Sequence, residues 1–275
     1  MTRSKLTGKT VIHILLILGS IIMVVPFVWM FLTSVKTDSE AIVIPPQIFP
    51  KIWQWSSYTD ALKQLPFLSF YFNTVSMVVV RVACAIVFSS MAGYAFARIK
   101  FPGRNILFFF VLIQMMIPPQ IFIIPQYVMV SHLHWLNTIQ ALIFPGLVSA
   151  FGTFLLRQFF MGIPKELEEA AILDGCNRWG VYWRIALPLA KSGLVALGIF
   201  TALFGWKDLL WPLIVNTDLN KMPLSAGLAT LQGQFNTHYP MLMAGSMLAI
   251  IPMIVIFIFF QKQFVQGIAT TGSKN

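Results

Sequence analysis

Charged side chains are missing from six long stretches of the chain, residues 10–35, 64–80, 82–97, 105–156, 192–206 and 222–261. A bilayer crossing takes about 20 mainly apolar residues, so several of these stretches qualify and two could hold a crossing plus a connecting loop. The pattern predicts helices over residues 11–33, 70–97, 105–129, 137–160, 192–214 and 239–261. That makes an all-α membrane protein with six transmembrane helices. Pro118, Pro119 and Pro125 fall in the third span and Pro145 in the fourth. Proline removes backbone hydrogen bonds that lipid cannot replace, so these turns should face protein or a wet cavity. They either shape a pathway or act as static kinks for packing.

Basic residues sort the connections into two classes. The N-terminus carries Arg3, Lys5 and Lys9, the second connection Arg98, Lys100 and Arg104, and the fourth Arg157, Lys165, Arg178, Arg184 and Lys191. Lys262 and Lys274 follow the last span, whereas the intervening loops hold only Lys36, Lys51, Lys63 and Lys221. Thirteen against four, alternating at each crossing, predicts that both termini are cytoplasmic in the cell membrane. The first outer loop, with Pro45, Pro46, Pro50, Pro66, Trp53, Trp55 and Tyr58, suits an extended segment at the membrane interface.

Composition agrees with lipid as the solvent: 57% of residues are hydrophobic and 10% charged, against about 25% charged in soluble domains. The net charge of +10 is spread between apolar runs, which argues against nucleic acid as a partner. Cys84 and Cys176 lie in a span and a cytoplasmic loop and should not form a disulfide. The apolar stretch after Lys9 is too long for a signal core and reads as a retained helix. Gly8-Lys9-Thr10 resembles the end of a phosphate-binding loop but lacks the glycine five positions earlier.

The most informative segment is Ile163-Pro164-Lys165-Glu166-Leu167-Glu168-Glu169-Ala170-Ala171-Ile172-Leu173-Asp174-Gly175. Pro164 suits a first helical turn, the acids lie near the positive end of the helix dipole, and Gly175 suits a left-handed stop. Asn177 can cap a second short helix over residues 178–183, running towards Pro188. Helical spacing sets Glu166, Glu169, Ala170 and Leu173 along one side with Ala171 beside them. Small residues next to a carboxylate let a partner's groove approach closely, with the charge fixing register. A short interfacial helix without a partner has the same composition.

Glu169-Ala170-Ala171, Gly175, then Ile185, Leu187 and Pro188 at fixed spacing resembles the coupling loop of ABC importer permeases. Asn73-Thr74, the run from Trp206 through Leu213, and Phe264-Val265-Gln266-Gly267 extend the likeness to the carbohydrate-uptake, maltose-type branch, with a departure at Lys207. The resemblance implies a type I ABC importer permease fold. It divides the chain into residues 1–66 (N-terminal tail, first helix, outer loop), a core domain over 67–265 with a coupling loop at 161–191, and a cytoplasmic tail over 266–275. It implies that Glu166, Glu169, Ala170, Ala171, Leu173, Asp174, Gly175, Ile185, Leu187 and Pro188 couple to an ATPase. The partners implied are a second homologous permease subunit, two ATP-binding subunits, an extracytoplasmic sugar-binding protein and membrane lipid, with residues 267–275 reaching the ATPase. ATP and Mg would belong to the ATPase and no cofactor to this chain.

Arg81, Lys207 and Asp208 lie in or near spans, where a central charge costs roughly 2.5 to 3.5 kcal/mol, and should be paired or wet. Lys207 and Asp208, with Trp206, Trp211 and Asn73, are candidates for a translocation pathway; the alternative for the first two is snorkelling to the outer surface. Few intramembrane cations and many aromatics favour a sugar over an anionic cargo. His132, His134 and His238 fall near the outer face without the carboxylates or cysteines of a metal site. No catalytic constellation appears, so the chain reads as a transport subunit and not an enzyme. The rival readings are an importer of another solute, such as a polyol or glycerol phosphate, and an ion-coupled secondary transporter, which would need inverted repeats.

Overall fold

A computed structural model describes residues 3–233 and 237–272. In chain order the helices are α1 (Arg3–Ser34), α2 (Asp38–Ala41), α3 (Ser56–Gln64), α4 (Phe67–Arg98), α5 (Arg104–Met116), α6 (Ile123–His132), α7 (Ile139–Ile143), α8 (Ala150–Met161), α9 (Lys165–Leu173), α10 (Arg178–Val181), α11 (Leu187–Leu189), α12 (Lys191–Trp206), α13 (Leu210–Val215), α14 (Leu224–Ala229) and α15 (Tyr239–Gly272). Among the described residues the only β pairing is an isolated bridge between Gln232 and Thr237.

Three segments, Lys9–Ser34, Phe67–Arg98 and Tyr239–Phe259, are each long and apolar enough to cross a bilayer alone. Three bent helix pairs are also long and apolar enough when each pair is taken as one span, which brings the candidate crossings to six: Arg104–Met116 with Pro119–His132 at 100°, Ile139–Gly146 with Ala150–Met161 at 43°, and Arg178–Leu189 with Lys191–Trp206 at 73°. The third and fourth spans, expected over 105–129 and 137–160 with proline turns inside them, are broken at those turns into two helices each. The cause at the third is the Pro118-Pro119 pair. A residue before proline is driven out of the helical region, and both Ile117 (ψ 126°) and Pro118 (ψ 129°) are extended. At the fourth, Ser149 restarts the helix by accepting a hydrogen bond from Gly152 N at 2.9 Å. The fifth, expected to run to residue 214, stops at Trp206, and α13 resumes at Leu210. The sixth, expected to end at 261, continues to Gly272. Side chains of the expected tail contact at 267–275 lie outside the described residues.

The chain divides into two compact units. The first comprises Met1–Pro66 and Leu228–Met253. Its α1 exposes apolar side chains from Val11 to Trp29 around the helix, as lipid demands. The loop after it is knitted locally: Gln54 N donates to Val35 O at 2.8 Å, Ser34 Oγ and Tyr58 OH share a hydrogen bond at 2.8 Å, and Trp55 lies between Trp53 and Tyr58. Thr37 and Glu40 form a capping box on α2. Hydrogen bonds, led by the Thr37 N–H, hold the Glu40 carboxyl below its ordinary value.

The second unit comprises Phe67–Gly227 and Ile254–Asn275. Within it α4 packs along α8 and α12. The approach is close because Gly152 has no side chain: a Cβ there would lie 2.5 Å from Ser89 Oγ and 2.9 Å from a Leu197 methyl. One apolar cluster gathers Tyr94, Leu156, Phe160, Ile163, Tyr182 and Leu197, and a second gathers Met77, Val130, Leu142, Trp211 and Val215.

Candidate functional site

The segment after α8 folds as its punctuation requires. Pro164 (φ −57°, ψ 133°) stands just before α9 and not in its first turn, and Glu166 and Glu168 occupy that turn. At the other end Gly175 N donates to Ile172 O at 3.0 Å and Cys176 N to Ala171 O at 2.9 Å. This Schellman pair needs a left-handed residue, which Gly175 supplies with φ +87°. Asn177 Oδ1 then accepts from Gly180 N at 2.8 Å to start α10. A π-helical turn over Tyr182–Ala186 follows, the kind of irregularity that concentrates at functional sites.

The two sides of α9 differ. Ala171 is buried, and Glu168 turns inward to meet Arg98 at the end of α4, with Oε1 2.9 Å from Nε. That N–H is not aimed at the oxygen, so the contact is a charge pair without an aligned hydrogen bond. Tyr94 OH donates to Glu168 Oε2 at 3.4 Å, and Arg98 Nη2 donates to Ile163 O. Glu166, Glu169, Ala170 and Leu173 stay exposed on the other side, Leu173 at 87%. Trp179 and Trp183 are also exposed beyond them, 59% and 58%. Ile185 and Leu187 are half-buried, Leu187 against the Tyr182 cluster, while Asp174 and Pro188 are exposed.

Sequence reasoning missed the Arg98–Glu168 support, because it joins residues 70 positions apart, a separation fixed by the fold. It also passed over Trp179 and Trp183, although their four-residue spacing was a legible signal. Ser90 Oγ and Tyr182 OH share a further hydrogen bond at 2.7 Å, which ties the loop to α4 a second time.

The charges inside the spans form a second constellation. Arg81 of α4 reaches Asp208 in the break after α12, with Nη1 2.9 Å from Oδ2. Its Nε and Nη2 both donate to Leu142 O, the former at 3.0 Å. The guanidinium stem fits only beside glycine: a Cβ on Gly146 would sit 2.5 Å from Arg81 Cδ. Lys207 is exposed with its ammonium 4.9 Å from the Phe204 ring, and Trp206 is half-buried.

Asn73 Nδ2 donates to Asn220 O at 2.9 Å and Met222 O at 3.0 Å, and the buried Trp211 donates Nε1–H to Ala141 O at 2.8 Å. Of the five candidate pathway residues, Lys207, Asp208 and Trp206 thus share one break, while Asn73 and Trp211 each tie down a separate segment. Asn137, with φ +58°, accepts from Thr217 N at 2.6 Å and Asp218 N at 2.8 Å and was not anticipated.

Residues 85–270 match the family model described as the binding-protein-dependent transport system inner membrane component. The chain belongs to this family. The permease is 41% identical over 202 residues to the arabinooligosaccharides transport system permease protein AraQ of Halalkalibacterium halodurans, covering 74% of this chain and 72% of the relative. It is 30% identical over 264 residues to the sn-glycerol-3-phosphate transport system permease protein UgpE of Yersinia enterocolitica, covering 93% and 94%. Its fold is that of a chain in the crystal structure of a bacterial ABC transporter involved in the import of alginate, with a TM-score of 0.79 at 23% identity over 95% of this chain and 98% of that one. The permease is thus an inner membrane transport component with the type I ABC importer fold, and not an enzyme.

Proposed function

We propose that the permease is one of two membrane halves of an ATP-driven, binding-protein-dependent importer of a sugar or oligosaccharide. Both termini lie in the cytoplasm, a second homologous permease completes the pathway, and two ATP-binding subunits dock beneath. An extracytoplasmic sugar-binding protein delivers cargo to the outer loops. ATP and Mg reside in the ATPase, and this chain holds no cofactor.

The carrying observation is the two-sided coupling helix. One side of α9 offers Glu166, Glu169, Ala170 and Leu173 freely, while the other buries Ala171 and is held to α4 through Glu168, which meets Arg98 and Tyr94. A large exposed apolar side chain flanked by carboxylates suits a partner's cleft rather than water. Motion of that cleft would pull α9 and, through the buried charge pair, the end of α4, so a local closure becomes a rearrangement of packed spans.

A sugar is favoured as cargo by the AraQ relative's name and by the neutralisation of Arg81. The UgpE relative's name supports a second reading, an anionic glycerol phosphate, for which Lys207 is the exposed cation at hand. Lys207→Gln should leave sugar uptake intact and abolish uptake of an anion. The direct test of docking is Glu169→Lys in the copurified assembly. Transport-coupled ATP hydrolysis should fall at least tenfold, since reversing one charge in a docked contact costs more than about 1.4 kcal/mol. Unchanged assembly and hydrolysis would show that α9 docks nothing.

A further inference from the structure

The turn between α4 and α5 gathers positive charge, Lys100 and Arg104, that no carboxylate among the described residues neutralises. It borders a cavity of about 380 Å³ lined by Lys100, Phe101, Gly103, Arg104, Asn105 and Ile106. Among the described residues the ion pairs are Arg81–Asp208, Arg98–Glu168 and His238–Asp38, so neither Lys100 nor Arg104 has a carboxylate partner. The Arg104 guanidinium makes a single long hydrogen bond among the described residues, from Nη1 to Ile99 O at 3.5 Å. Gly103, at the N-cap of α5, has no side chain to satisfy the first-turn N–H groups.

The surroundings of these cations are apolar. Phe101 packs on Phe96 at 5.9 Å between centroids, and Phe96 on Phe108 at 5.4 Å. Arg157 lies over the Phe108 ring at 4.1 Å, adding a third cation to the same aromatic patch. Leading away from the cavity along α5, Ile106, Leu107 and Phe110 are exposed. A soluble anion would use the cations and leave this apolar track idle. A phospholipid uses both parts, its phosphate at the interface and its chains along the helix.

We infer that this cavity binds the head group of an anionic phospholipid, with Lys100 and Arg104 on the phosphate and the acyl chains along Ile106, Leu107 and Phe110. The inference rests on α4 and α5 being membrane spans and not on the docking of α9. The probe is phosphatidylglycerol, added in a titration to the purified transporter in mild detergent and read by native mass spectrometry, with phosphatidylcholine as the neutral control.

Wild type should retain phosphatidylglycerol over phosphatidylcholine. Each of Lys100→Gln and Arg104→Gln should weaken retention about fivefold, near 1 kcal/mol per cation at a membrane surface, and the pair together more. Arg104→Lys, which keeps the charge, should retain most of the lipid and so separates lost charge from misfolding. Equal retention of phosphatidylglycerol by wild type and the double variant overturns the site. Displacement of the lipid by millimolar inorganic phosphate would reassign the cavity to a free anion and overturn the lipid assignment. Because retention is read in detergent, it is independent of the ATPase assay on Glu169.

Discussion

Arg81 and Asp208 show what a charge inside a span must do to be tolerated. The two residues lie 127 positions apart, yet their side chains meet at 2.9 Å, and the remaining guanidinium donors end on Leu142 O. Removing one partner of such a pair strands the other in a poor solvent, which costs about 3 to 5 kcal/mol, whereas replacing both by apolar residues is often neutral. Asp208→Asn should therefore lower the melting temperature of the purified transporter clearly, and Arg81→Leu combined with Asp208→Leu should restore much of it. A double variant less stable than Asp208→Asn alone would mean that the pair is not what holds these spans. The sequence flagged each charge as needing a partner, but adjacency drew attention to Lys207 and Asp208, and nothing local pointed from Asp208 to Arg81. At α9 the same limit applied: the free side was legible from helical spacing, while Glu168 read only as a dipole acid until the fold set Arg98 against it.

At the scale of elements, local chemistry was read well and continuity was not. The stop of α9 at Gly175 and the Asn177 cap follow from residue types within a few positions, and those interactions are what the backbone displays, while the start falls one residue after the expected Pro164. Prolines announced turns in the third and fourth spans, but their angles of 100° and 43° depend on what the halves pack against. The stop of α12 at Trp206 had no proline to announce it. Gly175 offers the sharpest element-level test, because its φ of +87° is costly for other residues. Gly175→Ala should destabilise the end of α9 by about 1 to 2 kcal/mol and Gly175→Asn by less, since Asn visits the left-handed region more readily. Amide exchange at Gly175 and Cys176, whose N–H groups close the Schellman pair, should speed up roughly tenfold in the alanine variant. Unaltered exchange would mean that the cap does not hold the helix.

For the whole molecule the decisive quantity is the parity of crossings, because the free side of α9 can meet an ATPase only from the cytoplasm. α5 has 13 residues and spans about 20 Å at 1.5 Å per residue, less than the roughly 30 Å of hydrocarbon. With α6 turned through 100°, the third crossing depends on both halves and on the extended Ile117-Pro118 link between them. If that pair dipped in and returned, every later loop would change sides, and the five basic residues from Arg157 near the end of α8 to Lys191 at the start of α12 would face outward against the positive-inside bias. Cytoplasm-restricted reporters fused after Arg98 and after Leu173 should both be active, and one fused after Lys63 should be silent. Activity after Arg98 with silence after Leu173 would identify the Pro118-Pro119 pair as a re-entrant loop, remove one crossing, and place the coupling helix where no ATPase could reach it.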